Sequence, residues 1–160
     1  MAKKLPSGDP CTTLPKAAVQ SGFPGAKSGE RSTRLKRYGI TECQWKNAAG
    51  DVLLVLQESR NDGRSAKDDA LGMAQGFVDP LNAKAVKNVR IEVFPSLDAD
   101  AASLFETADP KRGILNDCAF LQLRKHEHEI SLNAPGFAGR DRAQALKGFE
   151  TLARLAANRL

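Results

Sequence analysis

The chain is expected to fold as an α+β domain, an antiparallel sheet of about five strands with helices packed on one face. Three observations lead there. Two apolar-alternating segments are joined by short turns and read as hairpins: Tyr38–Trp45 with Val52–Gln57, and the pair within 118–133. The last twenty or so residues carry Leu146, Phe149, Leu152, Ala153, Leu155 and Ala156 at helical spacing. Finally, 160 residues with 41% hydrophobic and 27% charged content suit one globular core.

From the start, residues 1–10 hold two prolines, a glycine and an aspartate without periodicity and read as an extended lead-in, with a single domain over 11–160. Thr12 or Thr13 can cap a short helix over 13–21 that turns Leu14, Ala18 and Val19 inward. Residues 24–37, rich in Gly, Ser and charge, read as a long mobile loop. In the first hairpin a loop at Asn47–Gly50 would pair Lys46 with Asp51, Trp45 with Val52 and Cys43 with Leu54. Cys43, Trp45, Val52, Leu54 and Leu56 then share one face.

Ser65 is a suitable N-cap for a second helix, with Asp68 and Asp69 in its first turn and Leu71, Ala74, Phe77 and Val78 facing inward. Val89, Ile91 and Val93 alternate with Arg90 and Glu92 as a strand, and Pro95 ends it. Residues 95–116 read as mixed, a compact piece at Leu97–Phe105 and a loop around Asp109, Pro110 and Gly113. A two-residue loop at Lys125-His126 would set Arg124 against Glu127, Leu123 against His128, Leu121 against Ile130 and Ala119 against Leu132. Every core candidate then lies on one face. Past Pro135-Gly136 the final helix occupies 139–159, with Arg140, Arg142, Lys147, Arg154 and Arg159 outside its apolar stripe. The order is α-β-β-α-β-β-β-α.

A formal charge of +5 favours acidic partners, and much of the excess sits at Lys3 and Lys4 and in Lys27–Arg37. Arg34, Lys36 and Arg37 are the candidate partner contacts there, with His126 and His128 at the second hairpin's tip. His126 and His128 could also supply acid–base groups or two metal ligands, but no third ligand or nucleophile motif accompanies them. Asp98 and Asp100 lack the remaining oxygens and glycine of a calcium loop, so no metal and no cofactor is expected. Aromatics make up 6% of the chain and mostly sit at core positions, which argues against a nucleic-acid platform. On spacing alone, Cys11 and Cys43 are either a bridge tying the first helix and loop to the hairpin or two buried thiols; Cys118 is left over and is expected buried and reduced.

Asp9-Pro10-Cys11-Thr12-Thr13-Leu14, Cys43-Gln44-Trp45, Ser96-Leu97-Asp98-Ala99-Asp100-Ala101-Ala102, the hairpin at 118–133 and the Ala/Leu-rich last helix together resemble a family of small secreted bacterial lipoprotein domains, the PknH-type extracellular sensor domains. Ser96 and Asp98 stand here where such domains carry glycine. The resemblance implies export, a Cys11–Cys43 disulfide and no enzymatic activity. The leading expectation is therefore a non-catalytic, periplasmic or envelope protein-binding domain whose leader or lipid anchor is absent from this chain. Its partner would be another protein, such as a secreted toxin met by an immunity protein or inhibitor, or an envelope enzyme. The alternatives are a small hydrolase using His126 and His128, or a cytoplasmic basic nucleic-acid-binding protein.

Overall fold

In a computed structural model, the described residues are 9–76, 89–109, 111, 114–134 and 140–160, with side chains described in all of these except 73–76, 89–90, 106–109 and 114–118. The lead-in 1–8, Phe77 and Val78, Pro110 and Gly113, Pro135-Gly136, and the side chains of Ala74 and Cys118 lie outside them. The elements are α1 (Lys16–Gly22), β1 (Glu30–Ser32), β2 (Thr41–Lys46), β3 (Val52–Arg60), α2 (Ala66–Gly76), β4 (Val89–Val93), β5 (Asp100–Asp109), β6 (Ile114–Lys125), β7 (His128–Asn133) and α3 (Arg142–Ala157). Short 3-10 turns occupy Pro10–Thr12 and Lys36–Tyr38.

The class is α+β as expected, but the sheet has seven strands in the order β1-β2-β3-β7-β6-β5-β4, all antiparallel. Two strands beyond the expected set account for the different element order. β1 lies inside the stretch 24–37 expected to be a mobile loop, whose last two residues enter the 3-10 turn at Lys36–Tyr38. It pairs Arg31 with Cys43, although three polar residues carry no alternation signal. β5 replaces the compact piece and loop at 95–109; it is a weak strand former by its alanines, and its two neighbours supply the pairing.

Strand alternation divides the sheet into two unlike faces. Cys43, Trp45, Leu54, Leu56, Leu121, Leu123, Ile130 and Leu132 point to one side and join Phe105 and α3's Phe149, Leu152 and Ala156 in a single dry core. Phe105 and Phe149 pack ring against ring with centroids 5.6 Å apart. α3 is capped by Asp141, whose side chain accepts from the Ala143 amide at 2.7 Å. Helix α1 closes the same side through Val19, with Leu14 ahead of it; it starts at Lys16 after Pro15 rather than at Thr13, because the Thr13 hydroxyl is used inside, donating to Glu58.

Helix α2 lies on the opposite face, against Ala102 of β5 and Ile91 of β4, through Ala66 and Ala70. Helices therefore cover both faces rather than one. Leu71, expected inward, is 42% exposed because the alanine stripe, one residue earlier, meets the sheet. Ser65 caps α2 as expected, accepting from the Asp68 amide at 3.0 Å.

Both hairpins pair two residues away from the expected register. Trp45 opposes Leu54 and Cys43 opposes Leu56, with a bulge between Trp45 and Lys46 and a turn over Asn47–Asp51 in which Gly50 takes φ +88°. Leu123 opposes Ile130 and Arg124 opposes Glu129, since the turn residues are His126-Glu127. A slip of two preserves the face of Cys43, Trp45, Leu54 and Leu56 and of the second hairpin's core residues, whereas Val52, expected on that face, opposes Lys46 beyond the bulge and is only partly buried.

Candidate binding surface

Five segments meet at one end of the sheet: β2 begins there, β3 ends, β7 begins, and β6 ends, and the 3-10 turn at Lys36–Tyr38 precedes β2. The strand ends are tied across the gap, with the Asn61 amide donating to the Glu127 carbonyl (2.9 Å) and Asn61 Nδ2 to the His126 carbonyl (3.1 Å). The five residues singled out from sequence are thus gathered at one pole, in distinct roles.

Arg34 is an anchor. Its guanidinium forks onto the fully buried Glu42 carboxylate at 2.8 and 2.7 Å, while Gln44 and Gln57 donate to the same carboxylate at 2.9 and 2.7 Å. Burial pushes the Glu42 carboxyl upward, but the hydrogen bonds from Arg34, Gln57 and Gln44 and the Arg34 charge outweigh it and hold the group at about 2. Lys36 and Arg37 are exposed. Arg37 lies over the ring of Tyr38, 4.7 Å from its centroid, and Tyr38 is 62% exposed. His126 sits in the turn at φ +55°, exposed, whereas His128 is a strand residue with Nε2 3.9 Å from a Glu127 carboxylate oxygen.

The disulfide between Cys11 and Cys43 is formed, with Cα atoms 5.1 Å apart, and it pins the N-terminal 3-10 turn to β2. Gly29 explains how the segment before β1 crosses this bridge: a Cβ there would lie 2.5 Å from the Cys43 sulfur and 2.9 Å from Trp45 Nε1. The basic segment is therefore a fastened structure, held at Gly29, at the β1 ladder and at Arg34.

A second ionic cluster occupies the same pole on the α2 side. Arg124, 3% exposed, donates to Asn61 and Asp62 at 2.6 Å and to Asp69, and pairs with Glu129 at 2.9 Å. Burial raises the Glu129 carboxyl, an effect that Gln122 and the Arg124 charge reduce and the neighbouring Asp69 and Asp62 reinforce. Asp62 is held at about 2, by the Arg64 amide first and then Arg124. Asp100 is occupied in accepting from the Ala66 amide at 2.7 Å, and the exposed Asp98 pairs with Lys125 at 3.2 Å, so these two aspartates serve the fold. No group of three or more His, Cys, Asp or Glu suited to a metal occurs among the described residues.

Tyr38, Glu42 and Arg124 were missed by sequence reasoning. Glu42 and Arg124 occupy the polar phase of strands whose other phase is core, the same pattern that a solvated face would show. The strand signal in the sequence starts at Tyr38, but the left-handed Gly39 at φ +73° ends the 3-10 turn before β2 starts.

On the far side, α1 and α3 flank a groove of about 580 Å³ lined by Ala18, Gly22, Gly148 and Leu152 with Arg140 and Lys147 on it. Among the described residues, no helix is long and apolar enough to cross a membrane. No known family, curated protein or solved structure matches the chain.

Proposed function

We propose that this chain is a non-catalytic, extracytoplasmic protein-binding domain, of the inhibitor, immunity or sensor kind, and that it engages its partner through the pole carrying Lys36, Arg37 and Tyr38. The observation that carries this reading is the exposed Arg37–Tyr38 stack on a fastened turn. Tyr and Arg dominate the energetics of protein interfaces, because each offers a large contact area together with polar groups. Such a contact is more effective when the free protein already holds it in place, since less side-chain and loop freedom is lost on binding. Arg34 on Glu42 and the Cys11–Cys43 bridge provide that hold. Lys36 and Arg37 favour an acidic partner surface and would speed encounter with it. A disulfide of this kind suits an oxidising compartment, which supports export.

The test is affinity capture from the envelope fraction of the source organism, with the wild type and three variants. A protein retained by the wild type, lost with Tyr38→Ala and with Arg37→Glu, and kept by Lys147→Ala on the far face is the expected result. Equal retention by all four would refute the assignment of this pole. Ester, peptide or glycoside turnover by the wild type that vanishes in a folded His126→Ala/His128→Ala double variant would overturn the non-catalytic reading.

A further inference from the structure

Among the described residues the sheet ends at β4, and the backbone of that strand shows which of its groups are left for a neighbour. The Phe94 amide donates to the Ala101 carbonyl at 3.1 Å, and Phe94 and Ala101 continue the register in which Glu92 opposes Ser103 and Arg90 opposes Phe105. In an antiparallel ladder, opposed pairs alternate between those that exchange hydrogen bonds and those that do not. Arg90 and Glu92 thus spend their amides and carbonyls on β5, and Val89, Ile91 and Val93 turn theirs outward. Among the described residues, no strand pairs with that outer side.

β4 is only lightly defended as an edge: it has no lysine, no proline before Pro95 and no bulge against β5, and its two charged residues, Arg90 and Glu92, are of opposite sign. Val93, a β-branched side chain, is 53% exposed on it. The opposite edge differs. β1 is only three residues long and polar, which leaves little to extend.

We propose that β4 is a homodimerisation edge, pairing antiparallel with β4 of a second copy about a two-fold axis at Ile91. The sequence Val89-Arg90-Ile91-Glu92-Val93 is self-complementary in that register and in no other that the backbone allows. Outward-facing residues must oppose outward-facing residues, so the axis has to pass through a residue rather than between two. An axis at Arg90 opposes arginine to arginine, and one at Glu92 opposes glutamate to glutamate. Only the axis at Ile91 sets Arg90 opposite Glu92 of the other copy, twice by symmetry, and opposes Val89 to Val93, covering the exposed valine. Glu92 is already held from within by Arg142 of α3, which fixes its position beside the edge. The two sheets then run on as one. This interface is separate from the Lys36–Tyr38 pole, so it stands whether or not that surface binds a partner.

One strand pair buries less than a standard interface, so the dimer should be concentration-dependent, and sedimentation equilibrium up to roughly 0.5 mM covers the relevant range of weak association. The wild type should rise from 17.2 kDa toward twice that mass. Val93→Pro removes an outward amide without touching the β5 ladder, and Arg90→Glu turns both cross-axis pairs into like charges; each should abolish the rise with circular dichroism and melting preserved. Register is read by oxidation. Residues opposed in a hydrogen-bonded antiparallel pair have Cα atoms about 5.5 Å apart, within disulfide reach, so Ile91→Cys should cross-link two chains above the wild-type background while Val93→Cys should not. A chain that stays monomeric throughout, a rise unaffected by Val93→Pro, or cross-linking by Val93→Cys as readily as by Ile91→Cys would overturn the proposal.

Discussion

The two faces of this sheet are built from alternate residues of the same strands and held by opposite physics. On the α3 side, Leu54, Leu56, Leu121, Leu132, Phe105 and Phe149 exclude water, and stability there comes from area and close packing. On the other side, at the pole, the buried Glu42 is met by the exposed Arg34, and the buried Arg124 by the mostly buried Asp69 and Glu129 and the half-exposed Asp62. There the gain of each contact is offset by the cost of removing charge from water, and what remains depends on every partner being in place. The first face should be indifferent to pH and tolerant of changes that conserve volume. The second should respond to protons and to the loss of any single partner.

The largest effects lie in the core. Phe149→Ala removes a ring that is fully buried and packed on Phe105, and should cost about 3–5 kcal/mol in urea unfolding with an unchanged dependence on pH between neutrality and 5. Arg124→Met breaks the ionic cluster instead and strands Asp69 and Glu129, which are mostly buried. Its cost should be about 3 kcal/mol, toward the low end for a broken buried pair because half-exposed Asp62 can recover water. The two variants should separate on pH: the Arg124→Met deficit should shrink on acidification as the stranded Glu129 carboxylate, already raised by burial, protonates, while the Phe149→Ala deficit stays put.

Wild-type stability against pH sharpens the same contrast, and two signs must be kept apart. Glu42 and Asp62 are depressed, each to about 2, so they contribute stability above the ordinary carboxylate range that is lost as the pH falls from about 4.5 toward 2. Glu129 is raised, so its contribution is present below the ordinary range and is lost as the pH rises through its elevated value. Stability should therefore peak in mildly acidic solution and decline on both sides. Glu129→Gln should flatten the neutral side only, and Glu42→Gln the acidic side. A wild-type curve that is level from pH 7 to 3 would show that the clusters do not act as described.

Much of the core face was legible in the sequence because the strand period is two. The two hairpins were each expected two residues out of register, through the bulge at Trp45/Lys46 and the turn at His126-Glu127, yet Trp45, Leu54, Leu121 and Ile130 still fell on the correct side. What was not legible was whatever lacks a pattern of its own. β1 has three polar residues, β5 is alanine-rich, and both exist because a neighbouring strand offers a ladder. α2 was oriented by Leu71, but the sheet beneath it carries Ala102 and admits the small stripe of Ala66 and Ala70. For the pole, sequence found the charged residues and not their division of labour, since nothing local distinguishes an arginine on a buried carboxylate from one in water.

That division gives the smallest effects and the last comparison. Read as a loop, 27–37 would allow charge reversal at Arg34, Lys36 and Arg37 with melting almost unchanged. The structure separates them. Lys36→Glu with Arg37→Glu alters exposed charges and should shift stability by no more than about 0.5 kcal/mol. Arg34 is itself 57% exposed, so its own pairing energy is damped by solvent, but its partner Glu42 is fully buried and keeps only Gln44 and Gln57 when the guanidinium is gone. Arg34→Glu should then cost clearly more than the Lys36/Arg37 pair, because a buried polar group is left short of a partner, and should flatten the acid limb of the pH curve because Glu42 loses the charge that helps hold it at about 2, so that the deficit shrinks as the pH falls. If Glu42→Gln is made first, Arg34→Glu should cost little more, because the buried charge that needed Arg34 is no longer there. An undiminished cost in the Glu42→Gln background would mean that Arg34 holds the turn through something other than this pair, and the ionic account of the pole would fail at its best-defined contact.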